Sequence, residues 1–512
     1  MPLPDSVPIL SCAGAKAWET GLLKDESAGW AAMQQAGAAL ALALAQDFRE
    51  IGGLPAAAQY LLLVGKGHNG GDALLAAKVM LEEKPAASVD LLLCYGEPAL
   101  RPLAKRSLDE LRQAAGSRLR EVTLRQLKTG VTSYDTCLDG VFGFQFRPPL
   151  EEPMAELLAW VNTHPRIRLR AAVDLPSGLG EDNAGTVFRA DFTYATGIVK
   201  SPVVAAANAP YVGRLRFLDL GFFAAGTPAS DERVLTTALL EPLAALRPSL
   251  SDKRTFGHLF VLGGSLSYPG AVVLAVRAAL RSGAGLVTAF VPASLVPEYA
   301  AQHPEAMWVG LSENGSYSLG LVRERLSRAT AFLMGPGLGA TAETIALVGQ
   351  LVREVKVPLV LDADALRPEI IAAVGQKSFI GTPHAGELRR IAPALDGASH
   401  GVIVRKGPLT SVVGRALCPT GADDVGPKAR PTVYYSPFGG PVLARGGSGD
   451  ILAGLIGGLL AQKPDAPLLA ACRGVVWHGR AADLLARTHG QVAVETSQLL
   501  EQLGPALTHL HD

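Results

Sequence analysis

The chain has no surplus of charge of either sign. Lysine plus arginine and aspartate plus glutamate number 47 each in 512 residues, for a formal net charge of +0. A balanced chain sets up no global field to draw in nucleic acid or an anionic membrane, so neither is expected as a partner. Cysteine is also scarce. Cys12, Cys94, Cys137, Cys418 and Cys472 are scattered, and none lies in a CxxC pair. That excludes a disulfide framework and a cysteine zinc site, and leaves buried small hydrophobes in a reducing compartment. No apolar run is long enough to span a membrane. The stretch 36–45 is rich in Ala and Leu but short, is followed by Asp47 and Arg49, and reads as a buried helix. The opening MPLPDSVPIL lacks a basic stretch followed by an apolar core, so no signal peptide is expected. The expected location is the cytoplasm.

What is present in quantity is apolar sequence punctuated by glycine. Hydrophobic residues make up 48%, and 56 Gly and 35 Pro are spread along the chain without a repeat. The length exceeds one ordinary core and suggests about two to four domains. Short β-rich runs such as YLLLVG (60–65), VDLLLCYG (89–96), RAAVDL (170–175), HLFVLGG (258–264), AFLMGPG (331–337) and PLVLDAD (358–364) alternate with helical stretches. Continuous apolar runs ending in Gly or Asp are the pattern of buried parallel strands, and alternation with helices predicts doubly wound α/β sheets. The segment after Gly221 holds Pro, Ser and charges and has no clear strand, which puts a linker at 224–245 between domains 1–223 and 246–512. Residues 418–431 read as a polar surface loop.

The most informative segment is ARGGSGDILAGLIGGLLAQ (444–462). Gly446, Gly447 and Gly449 bracket Ser448 just before a helix, so backbone N–H groups and the helix N-terminus can form an anion hole for a phosphoryl group. Asp450, at its mouth, can take a proton from a hydroxyl as that oxygen attacks phosphorus. The competing reading makes Asp450 a helix cap and the glycines packing residues. Further strand-end turns accompany this one: HLFVLGGS (258–265) running into Pro269–Ala271, MGPGLG (334–339), TPHAGE (382–387) and VIVRKGPLT (402–410). All are expected at the carboxyl edge of one sheet, where α/β ligand sites lie.

In order, GGS…PGA, GPGLG, LDADAL, TPHxGE, KG and GGxGD resemble the NAD(P)H-hydrate dehydratase family over roughly 245–505, with HPEAM at 303–307 also similar. The resemblance implies a ribokinase-like fold and a repair reaction. NADH or NADPH hydrated at ring carbon six is phosphorylated on that hydroxyl by ADP or ATP, and loss of phosphate restores the ring double bond. By matching motif, Ala271, Gly337, His384 and Asp450 contact the hydrate. Lys406, Gly407, Pro408, Leu409 and Thr410, with Gly446, Gly447, Ser448 and Gly449, hold the nucleotide with Mg2+. His384 has a structural alternative. Asp362 leans to a structural role, Asp364 either serves magnesium or caps a helix, and Glu387 either holds magnesium through water or caps. Ser448 stands where the family has Thr, and GGPVLARGG replaces a segment resembling NxGMATGG, bringing in Arg445.

The first half carries a second set. YLLLVGKGHNGGDALLAAKVM (60–80) reads as strand, glycine turn and helix, with Asn69 and Asp72 in the turn. CLDGVFG (137–143) puts Asp139 near a strand end, and AAVDLPSG (171–178) puts Asp174 at another, followed by Ser177. Two carboxylates and a hydroxyl at neighbouring strand ends can hold a cation or move a proton. From about residue 9 to 222 this set resembles the NAD(P)H-hydrate epimerase domain. That implies a Rossmann-like three-layer sandwich interconverting the R and S hydrates, because the dehydratase accepts only one. Asp174 is then the acid–base residue. His68, Asn69, Gly70, Gly71, Asp72, Gly143, Phe144, Gln145, Phe146 and Asp174 contact the hydrate, and Asn69, Asp139 and Ser177 hold potassium. Lys66, His68, Ala73 and FGFQF (142–146) depart from the family pattern. The alternative reading is a ribokinase-like small-alcohol kinase with a non-catalytic nucleotide-binding or scaffold domain at its N-terminus. A homo-oligomer is expected in either case.

Overall fold

A computed structural model describes the chain apart from residues 1, 2, 4, 145, 147, 148, 182–184, 312–318, 396–400, 415–430 and 511–512. The surface loop expected at 418–431 therefore lies outside the described residues except for its last position, as does Gln145. The chain divides into two compact units. One comprises Val7–Val234 with Ala486–Gln491, the other Met1–Ser6, Leu235–Leu485 and Val492–Asp512. Both are α/β.

The first unit is built on strands β1 (Ser6–Leu10), β2 (Gln59–Val64), β3 (Ser88–Leu93), β4 (Leu119–Glu121), β5 (Tyr134–Gly140), β6 (Ile167–Val173), β7 (Phe192–Thr196), β8 (Val199–Lys200) and β9 (Arg214–Leu218). Seven form a parallel sheet in the order β4-β3-β2-β5-β6-β7-β9, and β1 pairs with β8. Alternate residues of β2 serve opposite faces. Tyr60, Leu62 and Val64 pack with residues of the helices Glu26–Phe48 and His68–Glu83, while Leu61 and Leu63 pack with residues of the helix Glu152–Thr163. A sheet buried on both faces explains why its strands read as unbroken apolar runs. It also makes the unit the three-layer α/β arrangement expected. The strand order reverses between β2 and β5, so the crevice beyond their carboxyl ends is the natural ligand site.

The segment expected as a linker carries a short strand, β10 (Glu232–Leu235), whose Val234 and Leu235 are fully buried. Only four residues long and set among polar neighbours, it is too short to give a periodic signal.

In the second unit, β11 (His258–Leu262), β12 (Leu286–Pro292), β13 (Met307–Leu311), β14 (Ala331–Met334), β15 (Leu359–Leu361), β16 (Phe379–Gly381) and β17 (Gly401–Arg405) run parallel in the order β13-β12-β11-β14-β15-β16-β17. Antiparallel β18 (Ser411–Gly414) and β19 (Thr432–Tyr435) continue that sheet. The four strand-end turns singled out in the sequence follow β11, β14, β16 and β17, and the LDADAL segment follows β15, so all five sit on consecutive neighbours in the sheet. The switch point lies between β11 and β14, where Gly264 N–H donates to Pro336 O at 2.8 Å.

Helix Ser448–Gln462 lies on this sheet and crosses helix Pro269–Arg281 at very close range. A Cβ at Gly454 would stand 2.1 Å from Ala275 O, a backbone atom that cannot step aside. Gly454→Val is therefore expected to cost about 1–3 kcal/mol through overpacking, read as a lower midpoint in urea unfolding of the second unit. An unchanged midpoint would mean that the two helices separate freely. No described helix is long and apolar enough to cross a membrane.

Candidate active sites

In the second unit the glycine loop delivers Asp450 to the sheet edge. Gly447 takes φ 90, a conformation that favours glycine, and turns the chain into helix Ser448–Gln462. Asp450 falls in the first helical turn. Two strand ends supply the groups around it. Lys406 follows β17, and its N–H donates to Pro383 O at 3.0 Å, which ties the KG and TPH segments together. Its ammonium bonds Asp362 Oδ1 at 3.0 Å and lies 3.2 Å from where a Cβ on Gly449 would be. Lysine, glycine loop and Asp450 thus meet at one point.

The charges there are strongly coupled. Burial pushes the Asp450 carboxyl up to about 7; the Asp362 carboxylate adds to this, and Lys406 opposes it. Burial works against the charged form of Lys406, yet the Asp362 carboxylate outweighs it and holds the ammonium above its ordinary value. Asp362 thus has the structural role expected of it, exercised on Lys406. It also accepts from Thr382 Oγ1 at 2.6 Å, and so fixes the lysine that faces the loop. Asp364 Oδ2 accepts from Gly339 N–H at 2.9 Å. Glu387 Oε2 accepts from His384 N–H at 2.9 Å, the capping geometry for the helix that begins at Ala385. The His384 side chain is 62% exposed, with Nδ1 accepting from Gly386 N–H at 3.0 Å and Nε2 lying 3.4 Å from Glu387 Oε1.

The other motif residues fall into two groups. A Cβ on Gly337 would stand 2.9 Å from the Ala271 Cβ, so these two hydrate-site candidates are neighbours. The Ser448 hydroxyl is committed to its own loop, donating to Leu443 O at 2.7 Å or Arg445 O at 3.0 Å, and Arg445 Nη2 donates to Val492 O at 2.7 Å. Any phosphate contact in this loop falls first to the backbone N–H groups.

In the first unit the site gathers at the ends of β5 and β6. Asp174 follows β6 with φ 67, rare for a residue with a side chain and frequent at functional sites. Its N–H donates to Tyr194 O at 2.8 Å, and its carboxylate accepts from Lys200 Nζ at 2.5 Å and from Thr196 Oγ1 at 3.4 Å. Lys200 is 1% exposed, and its ammonium also lies 3.8 Å from Glu19 Oε1. Helix His68–Glu83 starts earlier than the sequence suggests. Gly67 is its extended N-cap, so Asn69 and Asp72 are helical residues rather than turn residues. Asn69 Nδ2 donates to Val173 O at 2.8 Å and Phe142 O at 3.3 Å, joining the two strand ends. Asp139 is fully buried and accepts from Ser177 N–H at 2.7 Å and Ser177 Oγ at 2.6 Å. Burial raises its carboxyl to about 6.

Two cavities open here. One of about 310 Å³ is lined by Lys66, His68, Asn69, Tyr95, Arg101, Phe142, Gly143, Phe144 and Phe146, among others. A smaller one of about 60 Å³ is lined by Glu19, His68, Asn69, Asp72, Phe144, Asp174, Thr196 and Lys200, among others. His68, Asn69 and Phe144 are common to both. The sequence-predicted residues on these walls are His68, Asn69, Asp72, Gly143, Phe144, Phe146 and Asp174. Gly70 and Gly71 face inward instead, where a Cβ would meet Gly65 O at 2.6 Å and Met33 Sδ at 2.5 Å. Motif reading missed Glu19, Thr196, Lys200, Lys66, Tyr95 and Arg101. Lys200 carried a signal, a lysine closing the apolar run FTYATGIVK, much as Lys406 closes VIVRK. Glu19 carried none.

Comparison with known proteins agrees with the two halves separately and together. Residues 259–505 match the family model described as NAD(P)H-hydrate dehydratase, and 31–201 match that of the YjeF-related protein N-terminus. The bifunctional NAD(P)H-hydrate repair enzyme Nnr of Gloeobacter violaceus is 36% identical over 497 residues, covering 93% of each chain. The chain belongs to the bifunctional NAD(P)H-hydrate repair enzyme family. The Nnr enzyme of Moorella thermoacetica is 31% identical, over 94% of this chain and 92% of that one. Among solved structures, a ribokinase-like superfamily protein of Enterococcus faecalis aligns with TM-score 0.46 at 26% identity, over 56% of this chain and 98% of that one. Against this family background the Asp450 loop falls within the dehydratase match. Asn69, Asp139, Asp174 and Lys200 fall within the other match, while Glu19 precedes it.

Proposed function

We propose that the chain repairs hydrated NADH and NADPH with two activities, using 246–512 as a dehydratase domain and 1–223 as an epimerase domain. The observation that carries the reading is the meeting of Asp450, the glycine loop and Lys406 at one sheet edge. Asp450 takes the proton of the ring-carbon-six hydroxyl of the S hydrate as that oxygen attacks the terminal phosphoryl group of ADP or ATP. Backbone N–H groups of Gly446, Gly447 and Gly449, with Lys406, receive the developing charge. Phosphate then leaves carbon six with its oxygen, the ring nitrogen lone pair compensates, and loss of a proton from carbon five restores the double bond. His384, Gly337 and Ala271 hold the ring. In the first unit Asp174 acts as the acid–base residue that converts R hydrate to S, with Phe144, His68 and Asn69 at the mouth of its chamber.

Two ions come with this reading. Among the described residues no group of three His, Cys, Asp or Glu side chains could hold a metal ion. Magnesium, which usually binds through one or two carboxylates plus substrate phosphates, would therefore arrive with the nucleotide, with Asp364 and Glu387 beside it, and would neutralise phosphoryl charge. For potassium the donor set fits better. Asp139 is a buried carboxylate that accepts from Val141 N–H, Ser177 N–H and the Ser177 hydroxyl rather than from a cationic side chain, and the family resemblance adds the side-chain oxygens of Asn69 and Ser177. A monovalent cation held there would offset the Asp139 charge and fix the turn at 141–143. The reading goes with the expected cytoplasmic location, and size-exclusion chromatography checks the expected homo-oligomer.

The test is to incubate the protein with mixed hydrates of NADH, magnesium, potassium and either ADP or ATP, and to follow NADH absorbance. Full recovery is expected and names the donor. Recovery that stops when one epimer is exhausted would remove the epimerase assignment. No recovery with either nucleotide would remove the reading and leave a small-alcohol kinase to be sought.

A further inference from the structure

The small chamber of the first unit holds more acid–base chemistry than a single aspartate. Three carboxyl groups line it: Asp174 at the end of β6, Asp72 on helix His68–Glu83 and Glu19 on helix Cys12–Leu22. Lys200 stands among them, 2.5 Å from Asp174 Oδ1 and 3.8 Å from Glu19 Oε1, with its ammonium 5.2 Å from the centre of the Phe144 ring. The helix bearing Glu19 contributes no recognised motif. Its N-cap is ordinary, with Ser11 Oγ accepting from Gly14 N–H, and at its other end the Glu19 carbonyl accepts from Leu23 N–H. What the helix does contribute is one carboxyl, brought to the same ammonium that Asp174 holds.

We propose that Glu19 is a second catalytic proton carrier of the first unit, working opposite Asp174 across the hydrated ring. This rests on the epimerase reading. In the route we assign to this site, the carbon that bears both a hydroxyl and a ring nitrogen is inverted by breaking its C–O bond and reforming it on the other face. One carboxylic acid gives its proton to the departing hydroxyl, which leaves as water while the nitrogen lone pair forms a C=N bond. A water on the opposite face then adds to that carbon and passes its proton to the other group, now a carboxylate. Atoms and charge balance with no further reactant, and the pair exchanges roles in the reverse direction. A single acid on one face can serve only one half of that cycle. Groups that carry protons both ways work best when their pKa lies near the working pH. Burial raises the Glu19 carboxyl to about 7, opposed by Lys200 and reinforced by Asp174. The titratable groups facing it are Asp174, Lys200 and Asp72, with His68 in the same chamber. Burial, then the Asp174 and Glu19 charges, raises Asp72 well above the carboxylate range.

The test uses the full chain without nucleotide, so that the dehydratase is idle, and follows conversion of purified R hydrate to S by chiral chromatography across pH 5 to 9. Glu19→Gln is expected to lower kcat by about 100-fold or more with little change in KM, and to abolish the pH dependence near 7. In water enriched in heavy oxygen, the unmodified protein should incorporate one solvent oxygen for each inversion. A Glu19→Gln protein with unchanged kcat and pH profile, or inversion without oxygen incorporation, overturns the proposal. A retained urea midpoint for the first unit confirms that the variant folds. Should it not fold, Glu19→Asp is measured, and a pH profile identical to that of the unmodified protein overturns the proposal equally. An unmodified protein no faster than the spontaneous rate would defeat the epimerase reading itself. An active protein silenced by Asp174→Asn but untouched by Glu19→Gln would defeat only the role of Glu19.

Discussion

Asp450→Asn is expected to reduce the nucleotide-dependent recovery of NADH by about 100- to 10,000-fold while the protein stays folded. An amide of the same shape can fill the mouth of the glycine loop but cannot accept the hydroxyl proton, and general-base catalysis contributes on that scale. The loss should fall on kcat, with the KM for nucleotide little changed, because Lys406 and the loop backbone remain. The same carboxyl predicts a pH dependence. With its pKa raised to about 7, chiefly by burial and then by Asp362, the base is half protonated near neutrality. Dehydration by the unmodified enzyme should therefore rise through pH 7 and fall about tenfold for each pH unit below it. Stability should move the opposite way. Folding favours the protonated form, so the contribution of Asp450 to stability is full below pH 4 and lost as pH rises through 7. At pH 8 the carboxylate is held against its preference, and Asp450→Asn should unfold at a urea concentration no lower than the unmodified protein. A variant that keeps its rate, or loses rate and stability together, would show that Asp450 is a helix cap after all.

Much of this site was legible because its parts are local. Each strand of the second unit delivers its functional residues within a few positions of its own carboxyl end, so a motif such as KG or GGxGD names both the residue and its place. The convergence of those turns followed from the rule that parallel strands end on one edge. What was not legible is pairwise. Nothing in LDADAL shows that Lys406 will reach Asp362 from the second strand over. Glu19 and Lys200 share a cavity with Asp174 although they lie on a short helix near the start and on the two-residue strand β8. Such a contact is a property of the fold rather than of any window of sequence. The helix start at His68 was misplaced for a local reason. HNGGD reads as a turn by composition, but the extended Gly67 caps the chain there, and the two glycines are needed for close packing on Gly65 and Met33 rather than for bending. Strand β10 was missed because four residues carry no period.

Asp174→Asn should separate the two activities. The substitution is well suited to the site. Asparagine tolerates the left-handed backbone that Asp174 adopts, so the turn after β6 should survive, whereas an alanine there would add strain to the loss of the carboxylate. Conversion of R hydrate to S is expected to fall by about 100- to 10,000-fold, toward the spontaneous rate. Recovery of NADH from a mixed pool should then become biphasic, a fast phase that consumes S hydrate and a slow one limited by uncatalysed inversion. Nothing in the fast phase should change, since the dehydratase residues lie in the other unit. Lys200→Met offers a stricter version of the same argument. It removes the buried ammonium that contacts both Asp174 and Glu19, and with it the charge that opposes the rise of the Glu19 carboxyl, so Glu19 should hold its proton to higher pH. The pH profile of inversion should shift upward, with the rate below that of the unmodified enzyme at pH 7. A Lys200→Met protein whose profile stays in place would mean that the lysine merely fills the floor of the chamber, and that the Glu19 carboxyl titrates independently of it.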